Sequence, residues 1–195
     1  MSRTARLFLA LQLPAAVARE LDPWLARLHR LGPGLRVAPR DGLHLTLRFL
    51  GTVGAEREGE VREVASMVAA ASPTFELAIF GLGVFPEGEA PKVIWAGIDD
   101  RALELARLAT ALSDGLAERG WPAESRVYRP HCTLARAPRG LRGRRRDEVE
   151  ALVRQAAAAP PIPMSVETLS LLESVPVAGQ PNRYPCRESW PLAGG

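Results

Sequence analysis

At 195 residues, with 47% hydrophobic and 24% charged content, the chain is long enough to bury a substantial core and has the balance of a folded globular protein. The net charge is only +3, and Lys92 is the only lysine among 25 basic residues, an arginine bias better read as genome composition than as a phosphate-binding adaptation. Cys132 and Cys186 are too few for a disulfide framework, and the chain shows neither an apolar run of membrane-spanning length nor a secretory leader, so a cytoplasmic protein without membrane association is expected.

Arg6 to Leu13 reads as a buried strand ended by Pro14. Val17, Leu21, Trp24, Leu25 and Leu28 then recur at helical spacing up to Gly32-Pro33-Gly34. Leu35 to Ala38 is a short extended piece, followed by a strand opening on His44-Leu45-Thr46-Leu47. Val61, Val64, Ala65 and Val68 predict a second helix, Phe75 to Phe85 a strand, and Pro86 to Pro91 a turn.

The same order then returns. Val93 to Ile98 is a strand, and Leu105, Leu108, Ala109, Leu112 and Leu116 mark a helix. Arg126 to Tyr128 leads into His131-Cys132-Thr133-Leu134. Val149, Leu152, Val153 and Ala156 mark another helix, and Ile162 to Leu172 another strand. Leu9 aligns with Trp95, His44 with His131 and Leu77 with Ser165. The chain is therefore read as one two-lobed domain over 1–195, with repeat units at about 5–86 and 91–174 and a tail, 175–195, that returns as an edge strand. The expected class is α+β: two pseudo-symmetric, ferredoxin-like lobes with mostly antiparallel sheets around a central cleft.

Alternation along a strand puts His44 and Thr46 on one face, and His131 and Thr133 likewise. Across a cleft, such a pair of imidazoles can take one proton and give another near neutrality, while the hydroxyls hold an anion between them. One His-x-Thr-x tetrapeptide says little; two at matching positions in matching halves say much more. His29, near a predicted helix C-terminus, is expected at the surface. No histidine or cysteine pairing has metal-ligand spacing, so no metal or other cofactor is expected.

These two motifs, with the flanks Arg6-Leu7-Phe8-Leu9-Ala10-Leu11-Gln12-Leu13-Pro14, Arg48-Phe49-Leu50-Gly51 and Ala135-Arg136, resemble the two-histidine phosphoesterase superfamily. The branch they resemble is the RNA 2′,3′-cyclic phosphodiesterase, or 2′-5′ RNA ligase, family. The resemblance covers essentially the whole chain. It implies metal-independent hydrolysis of an RNA 2′,3′-cyclic phosphate end to a 2′-phosphate, reversible as 2′-5′ ligation. It also implies His44 as proton donor to the departing 3′ oxygen, His131 as the base that activates water, and Thr46 and Thr133 as phosphate ligands.

Arg48 shares the phase of His44 and Thr46 and is expected to reach the phosphate. Arg136, on the other parity but at a strand end, is a second candidate. Phe49 and Cys132 are expected in the core; Trp95 and Tyr128 could stack a base, with the core the favoured place for Trp95. Arg139 to Arg146 is read either as a solvated loop before a helix near Asp147 or as a surface that steers RNA. The partner expected is RNA with a cyclic phosphate end, bound by a monomer. Two rivals stay open: a phosphodiesterase for small cyclic nucleotides or 2′-5′ oligoadenylate, and a non-catalytic RNA- or nucleotide-binding module.

Overall fold

A computed structural model describes residues 4–88, 90–101, 103–124 and 127–194. The apolar runs form strands β1 (Thr4–Gln12), β2 (Arg36–Val37), β3 (His44–Gly54), β4 (Phe75–Phe85), β5 (Val93–Asp99), β6 (His131–Arg136), β7 (Ile162–Val166), β8 (Thr168–Glu173) and β9 (Cys186–Pro191). The helices are α1 (Ala15–Glu20), α2 (Asp22–Arg30), α3 (Ala55–Ala71), α4 (Glu104–Ala117) and α5 (Arg144–Ala156). The first predicted helix is broken at Leu21, because Pro23 in the opening turn of α2 cannot donate a backbone hydrogen bond and so marks a new start. The second helix of the other half starts at Arg144, ahead of the position expected near Asp147. Arg126 and Glu89 lie outside the described residues; Tyr128, expected to continue a short strand, is in irregular structure.

All named strand pairings are antiparallel, and the two lobes share one sheet in the order β7-β4-β5-β6-β3-β1-β8-β9, with β2 on β6. The lobes meet where Leu45 pairs with Cys132. These positions lie 87 residues apart, as do His44 and His131, so the junction sits on the pseudo-dyad. The predicted strand Ile162 to Leu172 divides at Glu167: β7 pairs with β4, while β8 crosses to pair with β1. The tail returns as the edge strand β9 on β8.

One face of this curled sheet carries the helices. Leu45 and Cys132 are fully buried there with Leu7, Leu9 and Leu11 of β1 and the apolar faces of α1 to α5. Gly115 of α4 lets α3 approach, since a Cβ there would stand 2.9 Å from Val64. The opposite face carries a smaller cluster, Phe8, Ala10 and Leu172 with Tyr184 against it, and forms the cleft.

Two bulges decide which side chains reach that cleft. Ala10 pairs with Thr46 but Leu9 with Arg48, and Trp95 pairs with Thr133 but Ile94 with Ala135, so Leu47 and Leu134 are each an extra residue. A bulge reverses the facing of the residues after it, up to the next bulge, which in β3 comes at Leu50. Arg48 is therefore buried at 4% exposure, and Phe49, expected in the core, is 55% exposed. Arg136, at the position equivalent to Phe49, likewise turns outward. The ladders also make Ala10, not Leu9, the counterpart of Trp95. Trp95, expected in the core, is half-buried on the cleft face between the fully buried Ile94 and Ala96.

Truncating the fully buried Leu45 to alanine is expected to cost about 2–5 kcal/mol of stability in urea titrations, as for other core leucines. Phe49→Ala should cost less than about 1 kcal/mol, the surface range rather than that of a core phenylalanine.

Candidate active site

His44 opens β3 directly after the short turn Arg40–Gly42, and its Nδ1 lies 2.7 Å from the carbonyl of Gly42. His131 opens β6 after Pro130, with Nδ1 2.7 Å from the carbonyl of Arg129. A carbonyl only accepts, so in each ring Nδ1 carries the proton and donates it, leaving Nε2 as the reactive nitrogen. The two bonds are copies of each other: each imidazole is held by the backbone two residues upstream.

Continuing the Leu45–Cys132 register places His44 beside Thr133 and Thr46 beside His131, with the imidazoles on the diagonal. All four side chains line one cleft of about 1200 Å³. The expected site residues His44, Thr46, His131 and Thr133 are thus brought together. Cys132 points into the core, where burial pushes its thiol up to about 12, making it unreactive.

Aromatic rings support both imidazoles. His44 packs against Phe8 and Tyr184, with centroids 5.0 and 4.7 Å away. His131 meets Phe85 edge-on at 5.2 Å and stands 6.3 Å from Trp95. Tyr184 comes from the tail and has no counterpart among the site residues expected from sequence. Gly42 lies beside it, with Pro39 and the Tyr184 ring 3.2 and 3.4 Å from where a Cβ would stand. Gly83 makes room for Trp95, whose ring would stand 2.2 Å from an added Cβ.

Burial makes the imidazolium costly at both positions. His44 is lowered to about 4, first by desolvation and then by the positive charge of Arg136 and His131, against the Gly42 carbonyl bond, which raises it. His131 is lowered by the same desolvation and by Arg136, against its bond to Arg129. Both rings are neutral in the free protein at pH 7.

The two candidate arginines part company. Arg136 is exposed at the cleft and acts on both histidines. Arg48 is turned away by the bulge: its guanidinium pairs with Glu124 at 2.9 Å and donates to the Pro122 carbonyl. Its expected place in the cleft is taken by the bulge-reversed Arg136, and Arg48 instead ties β3 to the segment Trp121–Glu124 that walls the cleft. The remaining charged lining consists of Arg6, Arg36 and Arg129, none with a carboxylate partner among the described residues. Among those residues, no three His, Cys, Asp or Glu side chains group as a metal site requires.

The model of the 2′-5′ RNA ligase superfamily matches residues 13–176. The chain belongs to that superfamily. An Archaeoglobus fulgidus protein named RNA 2′,3′-cyclic phosphodiesterase is 29% identical over 170 residues, covering 87% of this chain and 91% of the relative. Among solved structures, TT0787 of Thermus thermophilus superposes with a TM-score of 0.77 at 26% identity, over 97% of this chain and 98% of that one. Escherichia coli LigT complexed with 3′-AMP gives a TM-score of 0.74 at 28% identity, over 97% and 99%. The fold of this superfamily member is accordingly that of LigT-like two-histidine phosphoesterases, and no helix among the described residues is long and apolar enough to cross a membrane.

Removing the guanidinium in Arg136→Ala takes a positive charge from beside both rings. With that repulsion gone, imidazolium is less opposed and both midpoints rise. Titration of the two imidazole C–H signals by NMR should show His44 and His131 moving upward together, with no loss of thermal stability.

Proposed function

We propose that this superfamily member hydrolyses the 2′,3′-cyclic phosphate at the 3′ end of RNA to a 2′-phosphate without a metal ion. The observation that carries the reading is the pair of equivalent imidazoles in one cleft, each with Nδ1–H committed to a backbone carbonyl and Nε2 left for chemistry. The names of relatives support it, and LigT's complex with 3′-AMP supports a nucleotide-sized ligand for this fold.

In the proposed reaction the Nε2 of His131 takes a proton from water, whose oxygen forms a bond to phosphorus. The bond from phosphorus to the 3′ oxygen breaks, and His44 gives that oxygen the proton on its Nε2. The products are a 2′-phosphate and a 3′ hydroxyl, and the two imidazoles return to their starting states by exchange with solvent. Thr46 and Thr133 donate hydroxyl hydrogen bonds to the non-bridging oxygens, and Arg136 balances their charge.

The donor role asks something of His44 that the free protein does not supply, because desolvation and Arg136 hold the ring near 4. The phosphate supplies it. An anion entering beside Arg136 offsets the guanidinium and favours imidazolium at both rings, so bound substrate helps charge its own acid. With a 5′ hydroxyl replacing water, the reverse path would form a 2′-5′ linkage.

The test is product analysis with an oligonucleotide ending in a 2′,3′-cyclic phosphate, in the presence of a chelator. A 2′-phosphate product is expected, with His44→Ala and His131→Ala each lowering kcat by about 10²–10⁴-fold, the usual worth of a positioned acid or base. The pH profile of kcat/KM should be a bell centred below 6.5, because both free imidazoles are lowered, while that of kcat lies higher because bound phosphate raises them. A 3′-phosphate product, activity indifferent to both histidines, or activity lost in chelator and restored by a divalent cation contradicts the proposal.

A further inference from the structure

The basic run Arg139 to Arg146 takes no part in the site chemistry, yet the fold brings it to one mouth of the cleft. Arg36 of β2 is the register partner of Arg136, and both line the cleft together with Pro138. Two residues before Arg36 stands Gly34. The Arg145 guanidinium lies over that turn, 3.3 Å from where a Gly34 Cβ would be and 3.8 Å from that of Gly32. The intervening loop is pinned to the molecule, since Gly140 donates to the Ala137 carbonyl and Leu141 to that of Pro91.

No carboxylate among the described residues neutralises most of the charges along this path. Glu148 and Glu150 are taken by Arg144 and Arg146. Arg36, Arg136, Arg139, Arg142 and Arg145 are exposed and have no carboxylate partner among the described residues. Asp147, the acid in the first turn of α5, forms no ion pair with any of them. Arg144, Arg145 and Arg146 also open α5, where the exposed backbone N–H groups repel cations. An anion above them relieves both the helix end and the unpaired guanidinium groups.

We infer that Arg139, Arg142 and Arg145 extend the cleft into a track for the phosphate backbone of the RNA 5′ to the reacting end, leaving past Arg36 and Arg136. This rests on the proposed function and deepens it: the substrate is a polynucleotide gripped beyond its terminal nucleotide. Arginine suits such backbone contacts through its bidentate fork, and the contacts are indifferent to sequence.

The experiment compares two substrates, a 2′,3′-cyclic nucleoside monophosphate and a single-stranded RNA of about 20 nucleotides ending in the same group, long enough to fill such a track. The variant Arg139→Ala/Arg142→Ala/Arg145→Ala is expected to lower kcat/KM on the long RNA by about tenfold or more at low salt. It should also flatten the dependence of log kcat/KM on log salt by about 2, as for three single-strand phosphate contacts. Turnover of the monophosphate should stay at the wild-type level. The variant Arg101→Ala/Arg107→Ala/Arg154→Ala removes equal charge elsewhere and should leave both substrates unaffected. Equal losses on both substrates, no loss on the long RNA, or the same loss from the control variant overturns the track. If wild type turns over neither substrate, the proposed function falls and the track with it; if it turns over both, only the track is in question.

Discussion

The site depends on a hydrogen bond made twice: an imidazole Nδ1–H donating to the carbonyl two residues upstream, Gly42 for His44 and Arg129 for His131. It fixes the tautomer, fixes the ring plane, and leaves Nε2 facing the cleft. Because the carbonyl belongs to the segment entering the strand, ring orientation is set by backbone conformation rather than by a movable side chain. The remaining architecture delivers these two units to each other. Leu45 pairs with Cys132 on the pseudo-dyad, both fully buried, so packing on the helical face aligns the chemistry on the other.

The electrostatics of the cleft have the same origin. Phe8 and Tyr184 beside one ring, and Phe85 and Trp95 beside the other, exclude water and lower both imidazoles. Arg136 lowers them further, so the cleft is a cationic pocket that favours neutral histidines. That state is poised for an anion. The ion pair of Arg48 with Glu124 serves a different end, joining the strand that carries His44 to the wall that leads on to Arg129 and His131.

Much of this is legible in the sequence because strand alternation is a robust signal: His44 with Thr46 and His131 with Thr133 need only period two and a matching repeat. The misreadings of Arg48 and Phe49 have one cause. Leu47 and Leu134 are ordinary apolar residues, and nothing local marks them as bulges, yet each reverses the facing of the residues that follow, in β3 as far as the second shift at Leu50. Alternation alone therefore points Arg48 at the phosphate and Phe49 into the core. Trp95 is expected in the core on the general habit of strand aromatics, and the ladders place it instead on the cleft face beside Phe85 and His131. Tyr184 reaches His44 from far along the chain, across an interruption by Pro181 and Pro185, and its place depends on β9 pairing with β8.

The central claim is that both rings present Nε2 as an unprotonated acceptor before substrate arrives. Long-range ¹H–¹⁵N correlation of the imidazoles in the free protein at pH 7 reads this directly. Expected for both His44 and His131 are a protonated Nδ1, bonded to the Gly42 or Arg129 carbonyl, and a bare, pyridine-like Nε2. A proton resident on Nε2 of either ring, with Nδ1 bare, would contradict it.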